Sequence, residues 1–267
     1  MSISVHASAV VEDGAELGEG VSIGPFCNVG ADTKLGDHCK LESHAVVVGR
    51  TTVGAGCHIF PFASIGHRPQ DLKYHGEPST LEIGANTVMR EYVTVQPGTE
   101  HGGMITRVGD HCLLMASSHV AHDCQIGNHV ILGNNVMMAG HCVLEDHVIV
   151  SGGSGAHQFV RIGEHAFIGG MTGVGADVIP YGMVIGNRGW LSGLNVVGLR
   201  RRGFDRDEIH TIRKAYRLLF SNEGNLEERI DDVEKMFPDS PSVRRVLAFI
   251  RDRSDRSLCL PNSVEPE

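Results

Sequence analysis

Residues 120–141 read VAHDCQIGNHVILGNNVMMAGH, and in them Val120, Ile126, Leu132 and Met138 stand six places apart. Four places after each lead residue comes Cys124, Val130, Val136 or Cys142. Three places after each comes Asp123, His129, Asn135 or His141, types that tolerate a positive φ. A helix repeats at about 3.6 residues and a half-buried strand at about 2, so this period belongs to neither. It describes a short strand with one inward aliphatic side chain, then a corner, then the same again.

The period extends outward on both sides. It runs from Val5 to Ile59 in ten hexads and from Val108 to Val174 in twelve, with Ile83, Met89 and Val95 between them. The corner position holds Gly, Asp, Asn or His in 15 of these 22 hexads, so the turn is a property of the repeat and not of one segment. Hexapeptide repeats of this kind signal a parallel β-helix, in which three hexads close one triangular coil. Residues 18 apart then stack at the strand spacing of roughly 4.8 Å. With 34 glycines and only 5% aromatic residues, the composition suits a turning backbone around an aliphatic core and disfavours a helical bundle. Six of the seven cysteines (27, 39, 57, 112, 124 and 142) fall on the small-residue position and read as core fillers.

Two segments break the period, residues 67–80 (HRPQDLKYHGEPST) and 98–107 (GTEHGGMITR). They read as loops thrown out of the prism, where a rigid scaffold carries function. After Asn195 the hexads stop. Asp205 with Glu208 predicts a capping box opening a helix with apolar Ile209, Ile212, Tyr216 and Leu219. A second helix is predicted over 226–236, and a third after Ser240 with Pro241 at its first position. The expected organisation is a β-helix over 1–195 and a small helical domain over 196–267.

The formal net charge is -9, with 9 Lys/Arg against 18 Asp/Glu in residues 1–195 and 14 against 14 in the remainder. No nucleic-acid partner is expected from that balance. No apolar run of about 18 residues exists to span a bilayer, and the N-terminal residues have neither the basic nor the apolar region of a signal peptide. An odd number of cysteines without CxxC suits a reducing compartment, so a cytoplasmic location is expected.

Stacking by 18 sorts the histidines. His111, His129, His147 and His165 form a ladder on one corner, where they read as turn residues. His122 lies two places after Val120, on the outward flat of a strand; one coil on come Gly140 and His141, and one more coil brings His157 and Gln158. A histidine beside an approachable backbone N–H has the means to deprotonate a hydroxyl and hold an oxyanion.

The segments SSHVAHDCQIGNHVIL, MAGHCVL, AHQFVRIG, IGHRPQDLKYHGEPS and GLNVVGLRRRGF, in this order, resemble the UDP-N-acetylglucosamine 3-O-acyltransferases that begin lipid A synthesis. The resemblance covers essentially the whole chain. It implies a left-handed β-helix, a homotrimer with active sites between prisms, and transfer of a 3-hydroxyacyl group from acyl carrier protein to the sugar 3-hydroxyl without cofactor or metal. In that scheme His122 matches the general base, Asp123 the carboxylate assisting it, and Gly140 the oxyanion donor. Asp71, Lys73, His119, His141, His157 and Gln158 match substrate contacts, and Asn195, Arg201 and Arg202 the nucleotide-binding end. Gly170, with Phe167 before it, matches the position that sets acyl chain length.

Gln96 and Arg188 depart from residues that are commonly His in the family, which opens an alternative in which a 3-amino UDP-sugar is acylated to an amide. A different class is a zinc enzyme of the gamma carbonic anhydrase type, with His119 and His122 as ligands. That class leaves the 67–80 loop, the RRGF segment and the helical domain unexplained.

Overall fold

The computed structural model describes residues 2–262; the last five residues of the predicted helical domain, 263–267, lie outside the described residues. Its hexads form two-residue strands that stack in parallel into three sheets of 11, 9 and 8 strands, each sheet one face of a triangular prism. Ser22 and Ile23 pair with Lys40 and Leu41, and Ile131 and Leu132 with Ile149 and Val150, so the register is 18 residues per coil. The fold is the parallel β-helix expected from the period, of the class that the resemblance gives as left-handed, closed by C-terminal helices.

The core is one aliphatic stripe per sheet. Leu41, Ile59, Leu132, Met138 and Leu144 are all fully or almost fully buried, each contributing about 1.5–3 kcal/mol relative to exposure. The six repeat cysteines are buried and free, and most donate Sγ–H to a carbonyl of the next coil, as Cys124 does to Ala139 at 3.2 Å.

Corners take a left-handed backbone, as at His129 (φ 56°), Asn135 (φ 58°) and His147 (φ 62°). Phe26, Phe62, Tyr92, Phe159 and Met171 adopt it as well, although such residues rarely do. Contact with the next coil offsets that strain: Phe26, His44, Phe62 and Tyr92 stack in sequence with centroids 5.0, 4.9 and 5.2 Å apart. The ladder His111, His129, His147 and His165 is likewise stacked, with planes within 6° of parallel, so its nitrogens run in a row and do not converge.

The two breaks in the period are excursions. His58 pairs with Val88 across 30 residues, twelve more than one coil, and Val88 with Leu113 across 25, seven more. The period did not foresee the end of the prism, where strands Gly182–Ile185 and Trp190–Leu194 pair antiparallel across a bulge.

Asn195 then caps a helix absent from the sequence reading, α1 (Val196–Arg201), by accepting from the Gly198 N–H. The predicted helices follow as α2 (Arg206–Leu219), α3 (Leu226–Met236) and α4 (Pro241–Arg251). Only half of the expected capping box forms at α2: Asp205 accepts from the Glu208 N–H, while the Glu208 carboxylate accepts from Ser240 instead. The full reciprocal box is at α3, between Asn225 and Glu228. Beyond α4 the chain returns to the prism, where Leu258 bridges to Asp177.

Candidate active site

Both excursions leave the prism near the coil that carries His122 and lie side by side. The Glu100 N–H donates to Glu77 Oε1, and the Gly98 N–H to the Thr80 carbonyl. The second excursion covers the corner at Asp123, whose φ is 61°. Thr99 donates twice to the Asp123 carboxylate, from its N–H to Oδ1 (2.9 Å) and from Oγ1 to Oδ2 (2.6 Å). The Asp123 N–H donates to Thr106 Oγ1 at 2.7 Å. A side chain on Gly102 would drive a Cβ to 1.9 Å from the Asp123 carboxyl carbon, so only glycine can cross there.

His122 and Asp123 are 7% and 4% exposed, and His122 Nδ1 lies 2.8 Å from Asp123 Oδ2. Burial alone would raise the Asp123 carboxyl. The hydrogen bonds from His122 and Thr99, with His141 nearby, outweigh it and hold the group below the ordinary carboxylate range. A Cβ on Gly140 would meet the His122 ring at 2.5 Å, so the ring lies directly against bare backbone. In two coils the equivalent N–H is capped by the next coil, Asp110 by Asn128 and Asn128 by Asp146. Among the described residues nothing accepts from the Gly140 N–H.

The remaining predicted contacts divide into two groups. Asp71 Oδ2 lies 4.0 Å from His122 Nε2, and Lys73 is close enough to act on His141. His141 itself is a corner residue, edge-on to His122 at 4.9 Å and stacked on Phe159 at 4.3 Å, one place aside from the His122–Gly140 column. Burial, then the Asp123 and His122 charges acting in opposite senses, leaves His141 below the usual histidine range. His119 is lowered by burial and by His122, and its Nδ1 pairs with Thr94 Oγ1 at 2.7 Å. His157 is exposed and lines a cleft of about 440 Å³ with Gly155, Gly173, Arg188 and Gly189.

The second group lies on other parts of the prism. Asn195 is engaged in capping α1 and donates Nδ2–H to the His165 carbonyl. Arg202 donates to the His147 carbonyl, which seats α1 on the histidine ladder, and its buried Nη1 has no partner. Arg201 is exposed, and Phe167 and Gly170 lie toward the end of the prism.

Gln96, a departure from the family pattern, is 5% exposed, and its Oε1 accepts from the Gln70 N–H. It therefore tethers the loop that presents Asp71. Spacing could not reveal Thr99 or Thr106, because they reach the site from a segment outside the period; the break at 98–107 was the one signal for both.

His122, Asp123 and His141 hold their donor atoms within 4.8 Å of one another, a span that a divalent ion could bridge. His119, a ligand in the zinc alternative, is not in that cluster. The 2.8 Å contact of His122 Nδ1 with Asp123 Oδ2 is also the arrangement of a carboxylate-oriented imidazole.

Residues 177–259 match the family described as Udp N-acetylglucosamine O-acyltransferase, Domain 2, and residues 14–49 and 105–140 match Bacterial transferase hexapeptide (six repeats). An acyl-[acyl-carrier-protein]--UDP-N-acetylglucosamine O-acyltransferase of Rhizobium johnstonii is 52% identical over 97% of this chain and 96% of its own. One of Brucella ovis is 48% identical over 96% and 92%. Among solved structures, the UDP-N-acetylglucosamine acyltransferase of Bacteroides fragilis superposes with a TM-score of 0.92 at 39% identity, over 95% of this chain and 99% of that one. The Francisella novicida enzyme does so with 0.93 at 34%, over 97% and 94%. With such likeness running from the first coils through the helices, the chain belongs to the UDP-N-acetylglucosamine O-acyltransferase family.

Proposed function

We propose that the chain transfers a 3-hydroxyacyl group from acyl carrier protein to the 3-hydroxyl of UDP-N-acetylglucosamine, the first step of lipid A biosynthesis. The observation that carries the mechanism is the buried His122, bonded through Nδ1 to Asp123 and lying against Gly140. His122 Nε2 takes the proton of the sugar hydroxyl as that oxygen attacks the thioester carbonyl. The carbonyl oxygen becomes an oxyanion that accepts from the Gly140 N–H. When the C–S bond breaks, the leaving thiolate takes the proton back from His122. Asp123 holds the ring in the tautomer with Nδ1–H and balances its transient charge.

Asp71 and Lys73 position the reactants from the loop, and His119, His141, His157 and Gln158 contact sugar and acyl groups. Asn195, Arg201 and Arg202 serve the nucleotide end, and the open Gly170 with Phe167 limits the acyl chain. The working form is a cytoplasmic homotrimer that needs no cofactor or metal; no described helix is long and apolar enough to cross a membrane. The 3-amino and zinc alternatives are not favoured, since the relatives are named as O-acyltransferases and Gln96 has a structural employment in the loop.

The test compares His122→Ala with His147→Ala. The first should lose at least about 100-fold in turnover, the scale of a general base, and the second should keep its rate, because only its ladder ring is lost. Equal losses, or a loss confined to His147→Ala, would show that the base is elsewhere.

A further inference from the structure

The tail beyond α4 is pinned to one residue of the last coil. Ser254 Oγ donates to Asp177 Oδ2 (2.6 Å), the Asp177 N–H to the Ser257 carbonyl (2.8 Å), and the Cys259 N–H to the Asp177 carbonyl (2.7 Å). Arg256 stands between these anchors, its own N–H donating to Ser254 Oγ at 3.0 Å. From there its guanidinium reaches the column of His122: Nε donates to the Gln158 carbonyl at 2.9 Å, and Nη2 donates to His157 Nδ1. The tail thus grips a dipeptide whose residues lie 99 and 98 places earlier in the chain.

The chemistry of that grip is one-sided. A guanidinium offers only donors and keeps its charge in proteins. His157 Nδ1 must therefore accept, and the ring carries its single proton on Nε2. The same ring lines the cleft between Gly155, Gly173 and Gly189.

We infer that Arg256 is a positioning residue that fixes His157 as the Nε2–H tautomer, so that His157 meets a substrate oxygen in the cleft as a hydrogen-bond donor. This rests on the proposed role of His157 as a substrate contact. Without Arg256, Nδ1 loses its partner, the ring is free to turn or to place its proton on either nitrogen, and the Gln158 carbonyl is released. A purely structural latch would matter to the tail's stability but not to the His157 tautomer.

The test uses the full-length enzyme with ¹⁵N-labelled histidine, in long-range ¹H–¹⁵N spectra above about pH 8, where an ordinary imidazole is neutral. Wild type should show His157 in the Nε2–H pattern, and Arg256→Met should show a mixture. In kinetics, Arg256→Met should lose about tenfold in kcat/KM, the scale of one misplaced hydrogen bond. The double variant with His157→Gln should be no worse than His157→Gln alone, because the two act as one unit. Arg256→Lys, which keeps a donor for Nδ1 but not the second for Gln158, should recover part of both signals and carries the test if Arg256→Met loosens the tail. An unchanged tautomer in Arg256→Met, or additive losses in the double variant, overturns the inference. If His157→Gln leaves the kinetics untouched, the substrate role of His157 fails and takes the inference with it; the tautomer spectra, recorded without substrate, tell that failure apart.

Discussion

Replacing Asp123 by Asn changes one atom in a site whose hydrogen bonds leave it a single way to settle. The Thr99 N–H, 2.9 Å from Oδ1, can only donate, so the Asn carbonyl oxygen must take that position. The new NH₂ then stands where Oδ2 was, 2.8 Å from His122 Nδ1. Facing a donor, Nδ1 has to accept, and the ring proton moves to Nε2, the atom that must receive the hydroxyl proton. The side chain keeps its size and packing, so stability changes little while the base carries the wrong tautomer and loses its counter-charge. In a serine protease triad the same substitution costs about 10⁴ in turnover, or about 5 kcal/mol in the barrier. A loss of that order in kcat, with a smaller effect on KM, is expected here, measured with acyl carrier protein thioester and UDP-sugar on protein whose thermal unfolding matches wild type. Turnover within tenfold of wild type would refute the reasoning, because it would mean that His122 works without its orientation by Asp123.

Three further outcomes are expected. Burial, then His147 and Arg202, hold His165 down at about 4; since the unfolded chain takes up the proton near pH 6.5, the stability this neutral ring contributes is present above about pH 6.5 and is lost as pH falls toward 4. The ceiling is about 3 kcal/mol, cut to about half by partial exposure, and His165→Asn, which tolerates the left-handed corner, should flatten the fall in Tm over that window. Gln96→Ala frees the Gln70 N–H and loosens the loop that carries Asp71, so KM for the UDP-sugar should rise several-fold while the 3-hydroxyl sugar stays preferred over a 3-amino one in a direct competition. Residues 188–217 hold eight basic against three acidic side chains in a chain of charge -9; reversing Arg213, Lys214 and Arg217 to Glu should raise KM for acyl carrier protein and flatten its salt dependence, leaving KM for the UDP-sugar unchanged.

The coils were legible because a β-helix is nearly one-dimensional: each hexad contacts the next coil at a constant offset, so periodicity in sequence becomes stacking in space. That offset alone set His122 over Gly140 and stacked the four ladder histidines. Helices α3 and α4 announced themselves locally too, through an apolar face and through Ser240 with Pro241. The tertiary structure decided what no period carries. Thr99 reaches Asp123 only because a coil lengthened by seven residues throws out an excursion that folds back over the corner. Arg256 reaches His157 only because the tail returns to Asp177, and Arg202 is drawn to the ladder by a helix the sequence did not reveal. Repetition fixes distances along the prism axis, whereas contacts made by non-repeating segments depend on closing long loops, whose ends leave no regular trace in the chain.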